Sequence, residues 1–209
     1  MVGDIPDQTI NEGESFATID LDDYVEDAED PVESIIWSYF DDGDCDLMVS
    51  IVDRVVTISI PNSDWNGVET ITFNATDTGG LYDTDDATFT VSAVNDPPIN
   101  TVPGAQIINE DTALTFSSAN SNQISISDVD AGTEDIKVTL TATQGTLTLS
   151  STTGLTFSTG DGTDDPSMIF TGAQIDINTA LNGLTFTPTL DYYGSADTVS
   201  YTHLRAHET

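Results

Sequence analysis

Seven residues of this chain carry oxygen ligands at positions that a β-rich chain can bring together: Glu12, Asp64, Glu69, Asn95, Asp96, Asp128 and Asp130. Oxygen-only sets of this kind suit a hard cation, and Ca²⁺ takes about 6–8 such ligands at roughly 2.3–2.6 Å. Mg²⁺ fits less well, because it demands octahedral geometry and keeps its waters. Asp128 and Asp130 are separated by one residue, so a turn between them can aim both at one ion, and Gly132 permits that turn to be tight. Asp27, Glu29 and Asp77 form a smaller second set, a candidate half-site. Zinc and copper need nitrogen or sulfur ligands. The chain has a single Cys, Cys45, and its two His, His203 and His207, lie in the last seven residues.

These ligands sit in an acidic chain. It carries 37 Asp+Glu against 3 Lys+Arg in 209 residues, a formal net charge of -34. No basic face can be assembled for phosphates, which excludes nucleic acid, and an anionic membrane surface would repel it. The natural partners are cations or basic surfaces. Outside the last residues there is no His, and only Arg54 and Lys137 are basic, so neither a Ser-His-Asp site nor a phosphate clamp can be built and the chain reads as a non-enzyme. One Cys allows no intrachain disulfide, and bound metal is an alternative staple. No segment is apolar enough to insert in a bilayer and no leader is evident at Met1.

The elements that must position the ligands are strands. Thr and Ser alternate with Val, Ile, Leu and Phe, the period of two of half-buried sheet, as in 70–73 and 138–141. The first unit reads as seven strands near 8–10, 15–20, 34–40, 47–52, 55–60, 69–76 and 86–94, with Trp37, Phe73 and Val91 in the core. The second reads as strands near 106–108, 113–117, 123–127, 136–143, 145–150, 154–158, 167–171, 183–188 and 196–201, lacks a last strand, and has a short helix over 175–181. Landmarks repeat: Ile10-Asn11-Glu12 and Phe16 match Ile108-Asn109-Glu110 and Phe116, and Asp64-Trp65-Asn66-Gly67 matches Asp191-Tyr192-Tyr193-Gly194. Such self-similarity predicts tandem domains: an all-β fold of two immunoglobulin/cadherin-like β-sandwiches at 1–94 and 101–198, joined by a stiff linker over 95–100 that holds Asn95-Asp96-Pro97-Pro98.

In a sandwich of consecutive antiparallel strands, successive loops alternate between two poles. That parity puts Glu12, Asp64, Glu69, Asn95 and Asp96 at one pole of the first unit, and Asp128 and Asp130 at the facing pole of the second. Asp27, Glu29 and Asp77 fall at the opposite pole of the first unit, and Glu110, Asp191 and Asp197 at the far pole of the second.

The segment from Asp77 and Gly79 through Phe89-Thr90-Val91 to Val94-Asn95-Asp96-Pro97-Pro98 resembles the end of a cadherin-type repeat. Ile5-Pro6-Asp7-Gln8-Thr9-Ile10-Asn11-Glu12-Gly13 and Asp64-Trp65-Asn66-Gly67 resemble bacterial dystroglycan-type cadherin-like repeats. The second unit, with Asn109-Glu110-Asp111 and Asp128-Val129-Asp130-Ala131-Gly132, resembles repeats of large bacterial surface adhesins. The chain departs from the cadherin pattern at Val94, where a linker usually places Asp, and it has no Asp-Arg-Glu motif. The resemblance implies calcium-binding modules of an extracellular, surface or biofilm adhesin, with neighbouring repeats of the same chain as partners and a homophilic, protein or glycan ligand bound through another domain. The alternative is a spacer or carbohydrate-binding accessory module of a large secreted enzyme.

Three further readings complete the sequence. Asp42, Asp44 and Asp46 have EF-hand-like spacing, but the loop Gly is misplaced and no helices flank it, so 41–46 reads as a hairpin turn; 160–166 reads as another. Trp65, Tyr192 and Tyr193 read as structural corners in preference to a sugar platform. Residues 199–209 resemble read-through translation of a sequencing-library adaptor, which predicts an artefact tail without function and a native chain that continued further.

Overall fold

The computed structural model describes residues 1–41 and 46–204, with side chains described to residue 197. The turn holding Asp42, Asp44 and Cys45, and residues 205–209, lie outside the described residues. Among the described residues no helix is long and apolar enough to cross a membrane. The chain divides into two compact units, Met1–Val94 and Asn95–Thr209.

Unit 1 contains β1 (Gln8–Asn11), β2 (Ile19–Asp20), β3 (Ile36–Phe40), β4 (Met48–Val52), β5 (Val55–Ser59), β6 (Gly67–Thr76) and β7 (Tyr82–Ser92). They form a sheet in the order β1-β7-β6-β3 and a second in the order β2-β5-β4. β1 runs parallel to β7 and the other pairs are antiparallel. Seven strands in this order define an immunoglobulin/cadherin-like sandwich. The period of two does the sorting: Ile71, Phe73 and Ala75 of β6 and Ala87, Phe89 and Val91 of β7 are buried, while the residues between them are not. Phe16 meets Phe89 edge-on with ring centroids 5.3 Å apart, a favoured aromatic geometry. Trp37 packs at the margin of this core, half-buried.

β2 is shorter than the alternation over 15–20 predicts. The Asp20 side chain accepts from Asp22 N at 3.2 Å and turns the chain into a 3₁₀ segment, Leu21–Tyr24, which buries Leu21 completely. Short polar side chains that bond their own backbone compete with strand pairing in this way. The β4–β5 hairpin closes through Asp53 (φ 49°) and Arg54 (φ 66°), the left-handed pair that a two-residue turn requires. Arg54 is held there by Asp22, with Nε donating to Oδ1 at 2.6 Å and Nη2 to Oδ2 at 3.1 Å. The same bond keeps the Asp22 carboxyl below its ordinary range.

Unit 2 contains β8 (Ile99–Thr101), β9 (Leu114–Phe116), β10 (Ser125–Ser127), β11 (Asp135–Ala142), β12 (Gly145–Thr148), β13 (Thr156–Thr159), β14 (Ser167–Ala173), α1 (Gln174–Leu181), β15 (Leu184–Pro188) and β16 (Thr198–Leu204). The sheets run β13-β14-β11-β16, β12-β15-β9 and β10-β8. Ile136, Val138, Leu140, Phe170 and Leu184 are fully buried between them, joined by Ile177, Ala180 and Leu181 of α1. Asn178 of α1 donates to Ile126 O and accepts from Ile126 N, both at 2.9 Å. It thereby satisfies backbone groups of β10 that a neighbouring strand would otherwise serve.

Two sequence expectations change here. Residues 106–108 form no strand, and the first strand of unit 2 is Ile99–Thr101, paired with Ser125–Ser127. The matching segment of unit 1, β1, exists as a strand because β7 pairs with it; among the described residues unit 2 has no strand in that place. The strand expected near 196–201 is β16, whose backbone pairs with β11 from Ala142↔Thr198 to Ile136↔Leu204.

Candidate metal centre

Each unit contributes a carboxylate cluster built on its own strands. In unit 1, Glu12 follows β1 directly. Glu12 N donates to Ser92 O at 2.9 Å, extending the β1–β7 pairing by one residue. Glu12 Oε2 then accepts from Val94 N at 3.0 Å. Asp64 lies on the turn between β5 and β6, where its N donates to Asn62 Oδ1 at 3.2 Å and Oδ1 accepts from Ser63 Oγ at 2.8 Å. The two carboxylates present oxygens within 4.8 Å of one another. Two ligands each about 2.4 Å from one ion stand at most about 4.8 Å apart, so this pair can share a calcium.

In unit 2, the Asp128 side chain shapes its own loop: Oδ1 accepts from Asp130 N at 3.0 Å and Ala131 N at 3.1 Å. The loop continues through Gly132 at φ 48°. Asp130 Oδ2 accepts from Asp96 N, so Asp96 and Asp130 meet within the unit. Asn95 Nδ2 bonds Asp96 O at 3.0 Å. From α1, Gln174 Oε1 accepts from Asp128 N at 2.7 Å and fixes the start of the loop. Gln174 is a positioning residue that a search for carboxylates overlooks.

Among the described residues, four buried side-chain polar atoms have no hydrogen-bond partner, and the two that are carboxylate oxygens are Glu12 Oε1 and Asp128 Oδ2. A buried anionic oxygen without a donor is costly. A cation is the partner that suits it, since each of these carboxylates has already spent its other oxygen on backbone N–H groups.

Glu69 does not join the Glu12–Asp64 pair. It is buried to 4% exposure on β6, in phase with Ile71 and Phe73, and its Oε1 accepts from Asp46 N at 2.7 Å and Leu47 N at 3.0 Å. Its place is the entry to β4. Glu69→Leu strips both amides of their acceptor and should cost unit 1 about 2–3 kcal/mol, read as a lower urea midpoint at unchanged slope.

At the other pole of unit 1, Asp27 repeats the geometry of Asp128, with Oδ1 accepting from Asp30 N at 2.8 Å and Glu29 N at 2.9 Å. Those backbone bonds, Asp30 first, hold its carboxyl below the ordinary range. Asp77 Oδ1 accepts from Leu81 N at 2.8 Å, and the Asp30 carboxylate accepts from Thr78 Oγ1 at 2.9 Å. Glu29 is exposed. Here the carboxylates close turns. In unit 2 the Asp111 carboxylate likewise accepts from Asp191 N at 2.8 Å, and Asp165 Oδ2 accepts from Asp161 N and Gly162 N in the 160–166 turn. Trp65 packs on the core of unit 1. Tyr192 donates to Ser195 O at 2.7 Å, while Tyr193 is 86% exposed.

No family model matches the sequence, and no curated protein matches it. Solved structures do. Extracellular cadherin domains 3–6 of protocadherin gamma B2 match with TM-score 0.42 and 13% identity, over 98% of this chain and 46% of that one. The Z1Z2 domains of titin, solved in complex with telethonin, match with TM-score 0.31 and 14% identity, over 99% of this chain and 95% of that one. A SusE-like surface-located polysaccharide-binding protein from Bacteroides thetaiotaomicron matches with TM-score 0.33 and 16% identity, over 95% of this chain and 32% of that one. The chain spans less than half the length of the protocadherin structures it matches first. The strand order, more than these similarities, defines the class: tandem all-β units of immunoglobulin/cadherin type.

Proposed function

We propose that this chain is a calcium-rigidified structural repeat of a large extracellular bacterial adhesin. Glu12 and Asp64 of unit 1, with Asn95, Asp96, Asp128 and Asp130 of unit 2, hold Ca²⁺ at the linker. The observation that carries this reading is the pair of buried carboxylate oxygens without partners, Glu12 Oε1 and Asp128 Oδ2. Both belong to the set that strand parity assigns to a single joint. The calcium neutralises crowded acids in a chain of net charge -34. It also fixes the angle between successive repeats, so that an array of them stays extended and a distant ligand-binding domain can reach a cell, protein or glycan surface. Without the ion, self-repulsion loosens the hinge. Glu69 is left out of the ligand set, because its oxygen caps Asp46 and Leu47.

Small-angle scattering with calcium and with EDTA tests the mechanical part. The distribution of interatomic distances should narrow and gain a distinct long-distance shoulder in calcium. Identical profiles in the two buffers would argue against rigidification.

A further inference from the structure

We propose that unit 1 pairs with a second copy of this chain along the outer edge of β3, in a two-fold symmetric dimer whose two β3 strands run antiparallel. β3 ends the sheet β1-β7-β6-β3, and among the described residues its only strand partner is β6. A strand at a sheet edge presents a row of N–H and C=O groups that template another strand. β4 ends the other sheet of unit 1, beside β5. The Tyr39 hydroxyl donates to Val49 O at 3.3 Å and holds the two edge strands together, so they form one flank of the unit.

The side chains of this flank are apolar and exposed. Ile36 is 68% exposed and Phe40 61%, and Met48 and Val52 of β4 are exposed beside them. Residues 34–40 and 47–52 include no charged residue, in a chain of formal net charge -34. The opposite flank is built differently. There the Gln8 side chain closes the space beside β2, accepting from Ala17 N at 2.8 Å and donating to Ala17 O at 3.1 Å, and Asp20 and Asp23 line the same groove. Charges and covers of that kind keep a sheet edge from pairing with another chain. Among the described residues the β3 edge has neither. Its sequence, Ile35-Ile36-Trp37-Ser38-Tyr39-Phe40, is β-branched, aromatic and uncharged, the composition that favours strand addition.

Charge selects the occupant. A basic partner finds no carboxylate on these two strands, and an acidic one is repelled by the chain around them. The β3 edge of a second copy is neutral and self-complementary. With the two-fold axis at Ser38, Ile36 of each copy lies opposite Phe40 of the other, on the face that carries Ser38, which is the matching required of an isologous contact. Cross-strand pairs of a β-branched and an aromatic side chain are favourable. The paired strands are about 17 Å long, a short contact that forms reversibly. Glu33 and Asp41 flank β3, so each end of the contact brings like charges near one another, and salt strengthens the dimer by screening them. None of the proposed calcium ligands takes part.

Sedimentation equilibrium of the full chain tests this, run in EDTA so that calcium plays no part, from micromolar to millimolar protein and at low and high sodium chloride. A monomer–dimer equilibrium is expected, with the dimer favoured about tenfold or more at high salt. Ile36→Glu should abolish it by placing carboxylates in the contact. Val68→Glu adds the same charge at an exposed position of β6, beyond the residues that pair with β3, and should leave the dimer intact. Adding Phe40→Lys to Ile36→Glu should restore it, because each introduced carboxylate then meets an introduced ammonium on the other copy. Within one strand the two positions stand about 14 Å apart and cannot pair. A chain that stays monomeric at every concentration and salt would overturn the proposal. So would a dimer that survives Ile36→Glu or is lost with Val68→Glu, or a double variant that remains monomeric.

Discussion

Calcium at about a hundred times its dissociation constant should raise the stability of the chain by about 2.7 kcal/mol over the same protein in EDTA. For domains of this size that is a melting shift of roughly 10 °C or more. The affinity that makes such saturation reachable follows from what the ion replaces. Glu12 Oε1 and Asp128 Oδ2 are buried without a donor, so the metal-free protein carries two uncompensated anionic oxygens. The sharper form of the prediction is a reversal of sign. In EDTA, Glu12→Gln and Asp128→Asn remove a buried charge and should leave the protein as stable as the parent or more so. In calcium the same substitutions remove a ligand and should make it less stable than the parent. Scanning calorimetry of the parent and both variants in the two buffers reads this directly. Variants destabilised equally in both buffers would show the carboxylates to be structural groups without a metal.

Phe89→Ala should cost unit 1 about 3–5 kcal/mol. The ring is fully buried, packs edge-on against Phe16 at 5.3 Å and lies on β7, the strand that joins β6 to β1. Its loss leaves a cavity between the two sheets that neighbours cannot close without moving β1. Glu12 is tied to the end of β7 through Ser92 O and Val94 N, so the variant should also bind calcium more weakly. The units have separate cores, so a single melting transition should resolve into two, with the transition of unit 2 unmoved. A uniform shift of one cooperative transition would contradict that independence.

Much of this arrangement was legible in the sequence because sheets record burial as a period of two. The alternation that placed Phe73 and Val91 inside is the burial the strands show, and the helix predicted over 175–181 is α1, Gln174–Leu181. Pairing partners were less legible. Nothing local distinguishes 8–11, which has β7 beside it, from 106–109, which has no such neighbour among the described residues. The shortness of β2 depended on one side chain, Asp20, bonding the backbone two residues on.

The candidate site divides in the same way. Loop parity groups Glu12 with Asp64, whose carboxylate oxygens lie within 4.8 Å of one another, and the Asp-x-Asp spacing groups Asp128 with Asp130, which share a hydrogen bond. Glu69 instead caps Asp46 and Leu47, and its place in the alternation signals as much. It shares phase with Ile71, Phe73 and Ala75 and so points inward. Gln174 left no such trace, because its role depends on α1 delivering a neutral amide to Asp128 N from 46 residues away.

The most direct measurement is a calorimetric titration of Ca²⁺ into metal-stripped protein, repeated with Glu12→Gln and Asp128→Asn. If calcium is held at the linker by ligands from both units, the parent shows saturable heat and each single substitution weakens binding by tenfold or more, the order expected for loss of one charged ligand. No saturable heat in the parent, or binding that both variants retain at full strength, would contradict it.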